Sequence, residues 1–121
     1  MRYATLIILL ILIAGCDAQI KIDSEYEKRL AEYEKDRETA EKAVQNLDPY
    51  SCIEISDLDI RDTCYYDVAA AGGNFSVCEL MYRQSSKDIC HLTIGKATKD
   101  ITLCNKIKTL SMQEECIAAT K

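Results

Sequence analysis

Between Tyr26 and Leu47 the chain carries a seam at Tyr26, Leu30, Tyr33, Arg37, Ala40, Val44 and Leu47, with charged residues filling most positions between. The steps alternate 4 and 3, which places the seam on one face of a helix. Ser24 and Glu27 form an S-x-x-E capping box at the expected start. Asp48-Pro49 marks the expected end, because the residue before Pro is pushed out of helical geometry. Glu25 with Arg29, Lys28 with Glu32 and Glu38 with Lys42 are i,i+4 charge pairs, each worth about 0.2–0.5 kcal/mol. The predicted element is a charged helix over 24–47, roughly 35 Å long. Two readings of its seam are open: a short coiled coil with a second copy, or a spacer whose C-terminal part packs on the domain C-terminal to it. Arg37 and Ala40 weaken the first.

After Pro49 the pattern changes from a seam to a repeat. The cysteines from Cys52 onward are spaced 12, 14, 12, 14 and 12 apart, a period of 26 residues. Asp48, Asn74 and Asp100 stand four residues before the first Cys of each unit and are N-cap residue types. Ile55, Met81 and Ile107 stand three after it, and Asp62, Asp88 and Glu114 stand two before the second Cys. Val68 and Ile94 follow the second Cys by four, where the third unit has Thr120. Each unit therefore reads as cap, short helix, turn, longer helix. The first is expected at 49–56 and 59–71, closed by Gly72-Gly73. Fixed-period similarity of this kind predicts stacked helical hairpins. No segment alternates strictly, so the fold class is all-α: a long charged helix, then a short α-solenoid-like array over 48–121.

The twelve-residue spacing suits cysteines meeting across a helical hairpin, at a Cα separation of about 4.4–6.8 Å. Pairing Cys52–Cys64, Cys78–Cys90 and Cys104–Cys116 uses all six. Pairing across the fourteen-residue gaps leaves Cys52 and Cys116 without partners unless the two ends meet. Six cysteines allow other connectivities, and spacing alone does not choose among them. Short helices bury little core, so staples are expected to be structural.

Composition narrows the function. Of 121 residues, 15 are basic and 20 acidic, for a net charge of −5, and no basic block exceeds two residues. Nucleic-acid binding, which needs clustered cations, is disfavoured. Seven cysteines in so short a chain point to an oxidising compartment. The stretch Met1 to Gly15 has one basic residue and then an apolar run too short to span a membrane, the layout of a signal peptide.

Its end, Ile13-Ala14-Gly15-Cys16, resembles the lipobox of prokaryotic lipoproteins. The resemblance implies cleavage before Cys16, diacylglycerol on its thiol, and a cell-membrane location facing the extracytoplasmic side. Residues 17–23 would then be a tether. Asp17 resembles the inner-membrane retention signal of enterobacterial lipoproteins. Loss of Arg2 with the leader leaves 14 basic against 20 acidic side chains, so lipid and not charge would hold the protein to a membrane. The pattern D/N-x3-C-x2-[I/M] … [R/K]-D-x-C-x3-[V/I] over 48–116 resembles the cysteine-bearing helical-hairpin repeats of secreted and lipid-anchored proteins, many of them archaeal. The third unit departs from it at Gln113-Glu114.

Candidate chemistry is sparse. No two cysteines lie close enough for a zinc site or a C-x-x-C motif, and His91 is the single His, read as a polar helix-surface residue. No catalytic residue, metal or cofactor is expected. Asn74-Phe75-Ser76 is an N-x-S sequon that competes with Asn74 acting as a cap, and the cap is the favoured reading. Tyr50, Tyr65, Tyr66 and Tyr82 are surface candidates, with Tyr65, Tyr66 and Tyr82 expected to meet a protein partner. Weak self-association through residues 26–47 is a further expectation. The function expected is a lipid-anchored binding or scaffold module without catalytic activity; the alternative is an envelope inhibitor or immunity lipoprotein that blocks an enzyme or toxin.

Overall fold

The computed structural model describes side chains from Asp23 to Lys121. The leader, Cys16 and the tether up to Ile22 lie outside these described residues. Over residues 2–121, whose backbone is described, five α-helices occur: α1 (Arg2–Asn46), α2 (Leu58–Gly72), α3 (Gln84–Thr98), α4 (Ile101–Cys104) and α5 (Leu110–Thr120). Two 3-10 helices, Ser51–Glu54 and Phe75–Leu80, precede α2 and α3, as α4 precedes α5. No strand occurs among the described residues, so the chain is all-α. The first two short helices are thus 3-10 segments of four and six residues, the first tighter than the α-helix expected at 49–56, and the third is a single α-helical turn. Ser24 and Glu27 fall inside α1 and start no helix.

The chain divides into two compact units, 1–34 and 35–121. In the first, every described residue is exposed, and Arg29 pairs with Glu25 at 3.6 Å. Lys28 and Glu32 form no such pair. The second unit begins well before the boundary expected at Asp48, because the end of α1 belongs to the repeat. Asp36, Ala43 and Leu47 stand 26 residues before Asp62, Ala69 and Gly73, and 52 before Asp88, Gly95 and Lys99. Each of the three plays one role in all its copies. The aspartates and the small residues are buried in every copy. At Gly95 a Cβ would stand 3.0 Å from the Cys116 Sγ.

Leu47, Gly73 and Lys99 all have positive φ, at 54°, 66° and 58°. They end α1, α2 and α3 in the left-handed conformation. At α1 the Asp48 N–H donates to the Ala43 carbonyl (2.9 Å) and the Leu47 N–H to the Val44 carbonyl (3.2 Å), a Schellman closure. At α3 the Asp100 N–H donates to the Gly95 carbonyl (3.1 Å). Only α2 places glycine at this strained position.

The three disulfides join Cys52–Cys64, Cys78–Cys90 and Cys104–Cys116, with Cα separations of 5.8, 5.9 and 5.4 Å. Among the described residues, six of the sixteen buried apolar side chains are these half-cystines. Ile55, Met81 and Ile107 are buried beside them, as are Val68 and Ile94. Ala40 and Val44 of α1 pack against this core. Sulfur thus occupies interior volume that a larger domain would fill with branched side chains.

Candidate functional site

Within 35–121 the polar interior is a ladder of carboxylates. The turn before each longer helix exposes N–H groups that find no partner in their own hairpin. The preceding helix supplies one. Asp36 accepts from the N–H of Ser56 (3.1 Å) and of Asp57 (2.8 Å). Asp62 accepts from the N–H of Tyr82 (2.8 Å) and from Arg83 Nε (3.2 Å). Asp88 accepts from the N–H of Lys108 (3.0 Å), from the N–H and hydroxyl of Thr109 (2.9 and 2.7 Å), and from the Gln84 amide (2.9 Å). Apart from that of Gln84, each bond spans 20 or 21 residues. The ladder therefore registers each hairpin on the next, and Asp36 ties the end of α1 to the first.

The same bonds lower the pKa of Asp88 and Asp62. For Asp88, burial is the largest single influence and opposes ionisation. The Lys108 N–H, the Thr109 hydroxyl, the Gln84 amide and the Thr109 N–H together outweigh it and bring the pKa down to about 2. Asp62 is also lowered: burial opposes, but the Ser86 hydroxyl, the Tyr82 N–H and Arg83 prevail. Glu114, on the same register, is exposed.

A second bond recurs at the end of the short helix in the first and third units. The Arg61 Nε and Nη2 donate to the Ile55 carbonyl at 2.8 and 2.6 Å. Two units on, the Gln113 amide reaches the Ile107 carbonyl at 3.4 Å. The departure of the third unit at Gln113 thus keeps a donor to the equivalent carbonyl.

The tyrosines expected on one surface separate. Tyr65 is 5% exposed and belongs to the core, so it is withdrawn as a partner-binding residue. It shares its register with His91, which is 1% exposed and not a helix-surface residue. His91 Nε2 donates to Glu79 Oε1 at 2.9 Å, while Nδ1 has no hydrogen-bond partner. Both positions face the interior of the stack, and consecutive helical residues point about 100° apart, so Tyr66 cannot follow Tyr65 inward. Tyr66 is half-buried and lines an open concavity of about 230 Å³ with Met81, Arg83 and Ile89. Tyr82, 70% exposed, stands between Met81 and Arg83, and Tyr50 is exposed as expected. Arg83 is held there by ion pairs with Asp59 and Asp62.

The seam of α1 divides likewise. Ala40 and Val44 are used inside the second unit, while Tyr26, Leu30 and Tyr33 are exposed. Among the described residues no helix is long and apolar enough to cross a membrane, and no cluster of His, Cys, Asp and Glu could hold a metal ion. Comparison with family models, curated proteins and solved structures finds no match to this chain.

Proposed function

We propose that the protein is a lipid-anchored, extracytoplasmic binding or scaffold module without catalytic activity. One observation carries this reading: three disulfides, one per hairpin, consume six of the seven cysteines. Bridges that fill a core in place of branched apolar residues belong to an oxidising compartment. The seventh cysteine, Cys16, is the residue that the lipobox resemblance marks for diacylglycerol. The ladder of buried carboxylates keeps the hairpins in register, so the array presents a fixed surface.

On that surface Tyr82 and the concavity lined by Tyr66, Met81 and Ile89 form the contact area for a protein partner. Tyrosine supplies apolar area and a hydroxyl at low cost in side-chain freedom. Self-association through α1 is the weaker contact. With Ala40 and Val44 engaged in the array, the exposed seam of α1 keeps Tyr26, Leu30 and Tyr33 as its apolar residues, short of the three heptads a coiled coil needs.

The test combines fractionation with cross-linking. Cys16→Ser is expected to move the protein from membrane to soluble fractions of its native cell. A photo-reactive side chain at position 82 is expected to yield one discrete cross-linked partner, lost on Tyr66→Ala. Membrane retention of Cys16→Ser removes the anchor. A cross-link pattern that Tyr66→Ala leaves unchanged removes the face.

A further inference from the structure

We infer that Asn74 is the acceptor of an N-linked glycan. The three positions Asp48, Asn74 and Asp100 share one register but not one role. Asp48 accepts from the Tyr50 N–H (3.0 Å) and the Ser51 hydroxyl (2.6 Å). Asp100 accepts from the Thr102 N–H (2.8 Å) and hydroxyl (2.6 Å). Asn74 caps no backbone N–H of the Phe75–Leu80 helix that it precedes. Its Oδ1 accepts only the Ser76 hydroxyl, at 2.6 Å. The one position of three that carries an amide is thus the one whose side chain accepts from no backbone N–H, and its Nδ2 bonds to no other group.

The surroundings fit a modification site. Asn74 and Ser76 are exposed on either side of Phe75, which packs against the core and fixes the segment. Gly72 ends α2 and Gly73 follows it, both exposed, and nothing lies within 4 Å of where a Gly73 Cβ would stand. Asn-Phe-Ser has the hydroxyl two residues on and no Pro between. A surface loop is where such an acceptor belongs.

The donor class is a glycan linked to a polyprenyl phosphate or pyrophosphate. The Asn74 Nδ2 forms a bond to the anomeric carbon of the first sugar. The bond from that carbon to the phosphate oxygen breaks, and the polyprenyl (pyro)phosphate leaves with the electron pair. The proton lost from Nδ2 passes to a base of the transferase. The inference rests on the extracytoplasmic reading above, because such transfer follows export.

The experiment isolates the full chain from membranes of its native cell and reads two peptides by mass spectrometry after reduction. One is the tryptic peptide 62–83, which holds Asn74; the other holds Cys16. A sugar-sized mass on 62–83, fully lost in Asn74→Asp and in Ser76→Ala, is the expected result. Asn74→Asp installs the residue type of the other two units, so it should keep the helical circular-dichroism signal and melting temperature of the unglycosylated fold. An unmodified 62–83 on a chain whose Cys16 is lipidated overturns the inference and leaves the anchor standing. A glycosylated 62–83 with a free Cys16 thiol supports the inference and overturns the anchor. Both peptides unmodified overturn both.

Discussion

The two parts of α1 carry one continuous 4,3 seam and meet opposite fates. Over residues 23–34 every side chain is exposed, Tyr26, Leu30 and Tyr33 included. Over 35–46 the same seam delivers Ala40 and Val44 to a core, and Asp36 and Ala43 are buried beside them. Helical periodicity is equal in both. What differs is the presence of a 26-residue counterpart: Asp36 and Ala43 are the first members of the series that Asp62 and Ala69 continue. An amphipathic pattern states which side chains share a face, and only a matching neighbour turns that face into an interior.

The sharpest way to break this contrast is to remove a staple from the array. Cys78→Ser with Cys90→Ser deletes the central bridge, which closes a loop of about a dozen residues and is worth about 3 kcal/mol in the chain-entropy model. At roughly 4–8 °C per kcal/mol for a domain of this size, the melting temperature should fall by more than about 10 °C in calorimetry.

Next comes the joint between α1 and the first hairpin. Asp36→Ala leaves the N–H groups of Ser56 and Asp57 without their acceptor and should cost about 1–3 kcal/mol. Tyr33→Ala, three residues earlier but exposed, should stay within about 0.5 kcal/mol. Urea denaturation of the two variants compares the halves of the helix directly; equal losses would mean that the seam, and not the register, holds α1 in place.

Acid probes the same ladder without mutation. Asp88 has its folded-state pKa lowered from 3.8 to about 2. A depressed carboxyl stabilises the fold above its unfolded pKa and loses that contribution as pH falls through the folded value. About 2 kcal/mol should therefore disappear between pH ~4 and pH ~2, with Asp62 adding in the same direction. Asp88→Asn should flatten this limb of a stability-versus-pH curve.

The smallest effect expected is a gain. Lys99 holds φ of 58° where α2 uses Gly73. Lys99→Gly should raise stability by up to about 1 kcal/mol through relief of the left-handed conformation, reduced by loss of the Lys99 Nζ bond to the Ala119 carbonyl. Equilibrium urea unfolding checks the sign.

By its sequence alone the chain determined its period, its helical class, the register of Ile55, Met81 and Ile107, and the spacing that lets each cysteine meet its partner. These are local properties: a hairpin's dimensions and a helix's 3.6-residue turn operate over a dozen or so residues and leave marks in residue type. Tertiary structure decided that the array begins at Lys35, that Tyr65 and His91 face inward while Tyr82 faces out, and that Asn74 is no cap. It also set left-handed closures at Leu47 and Lys99, residue types that carry no turn signal. These outcomes depend on groups distant in the chain, or on which of two neighbouring side chains the next hairpin covers. Asp36 stood in register with Asp62 and Asp88, but without a cysteine beside it nothing in its own neighbourhood distinguished it from a solvated charge.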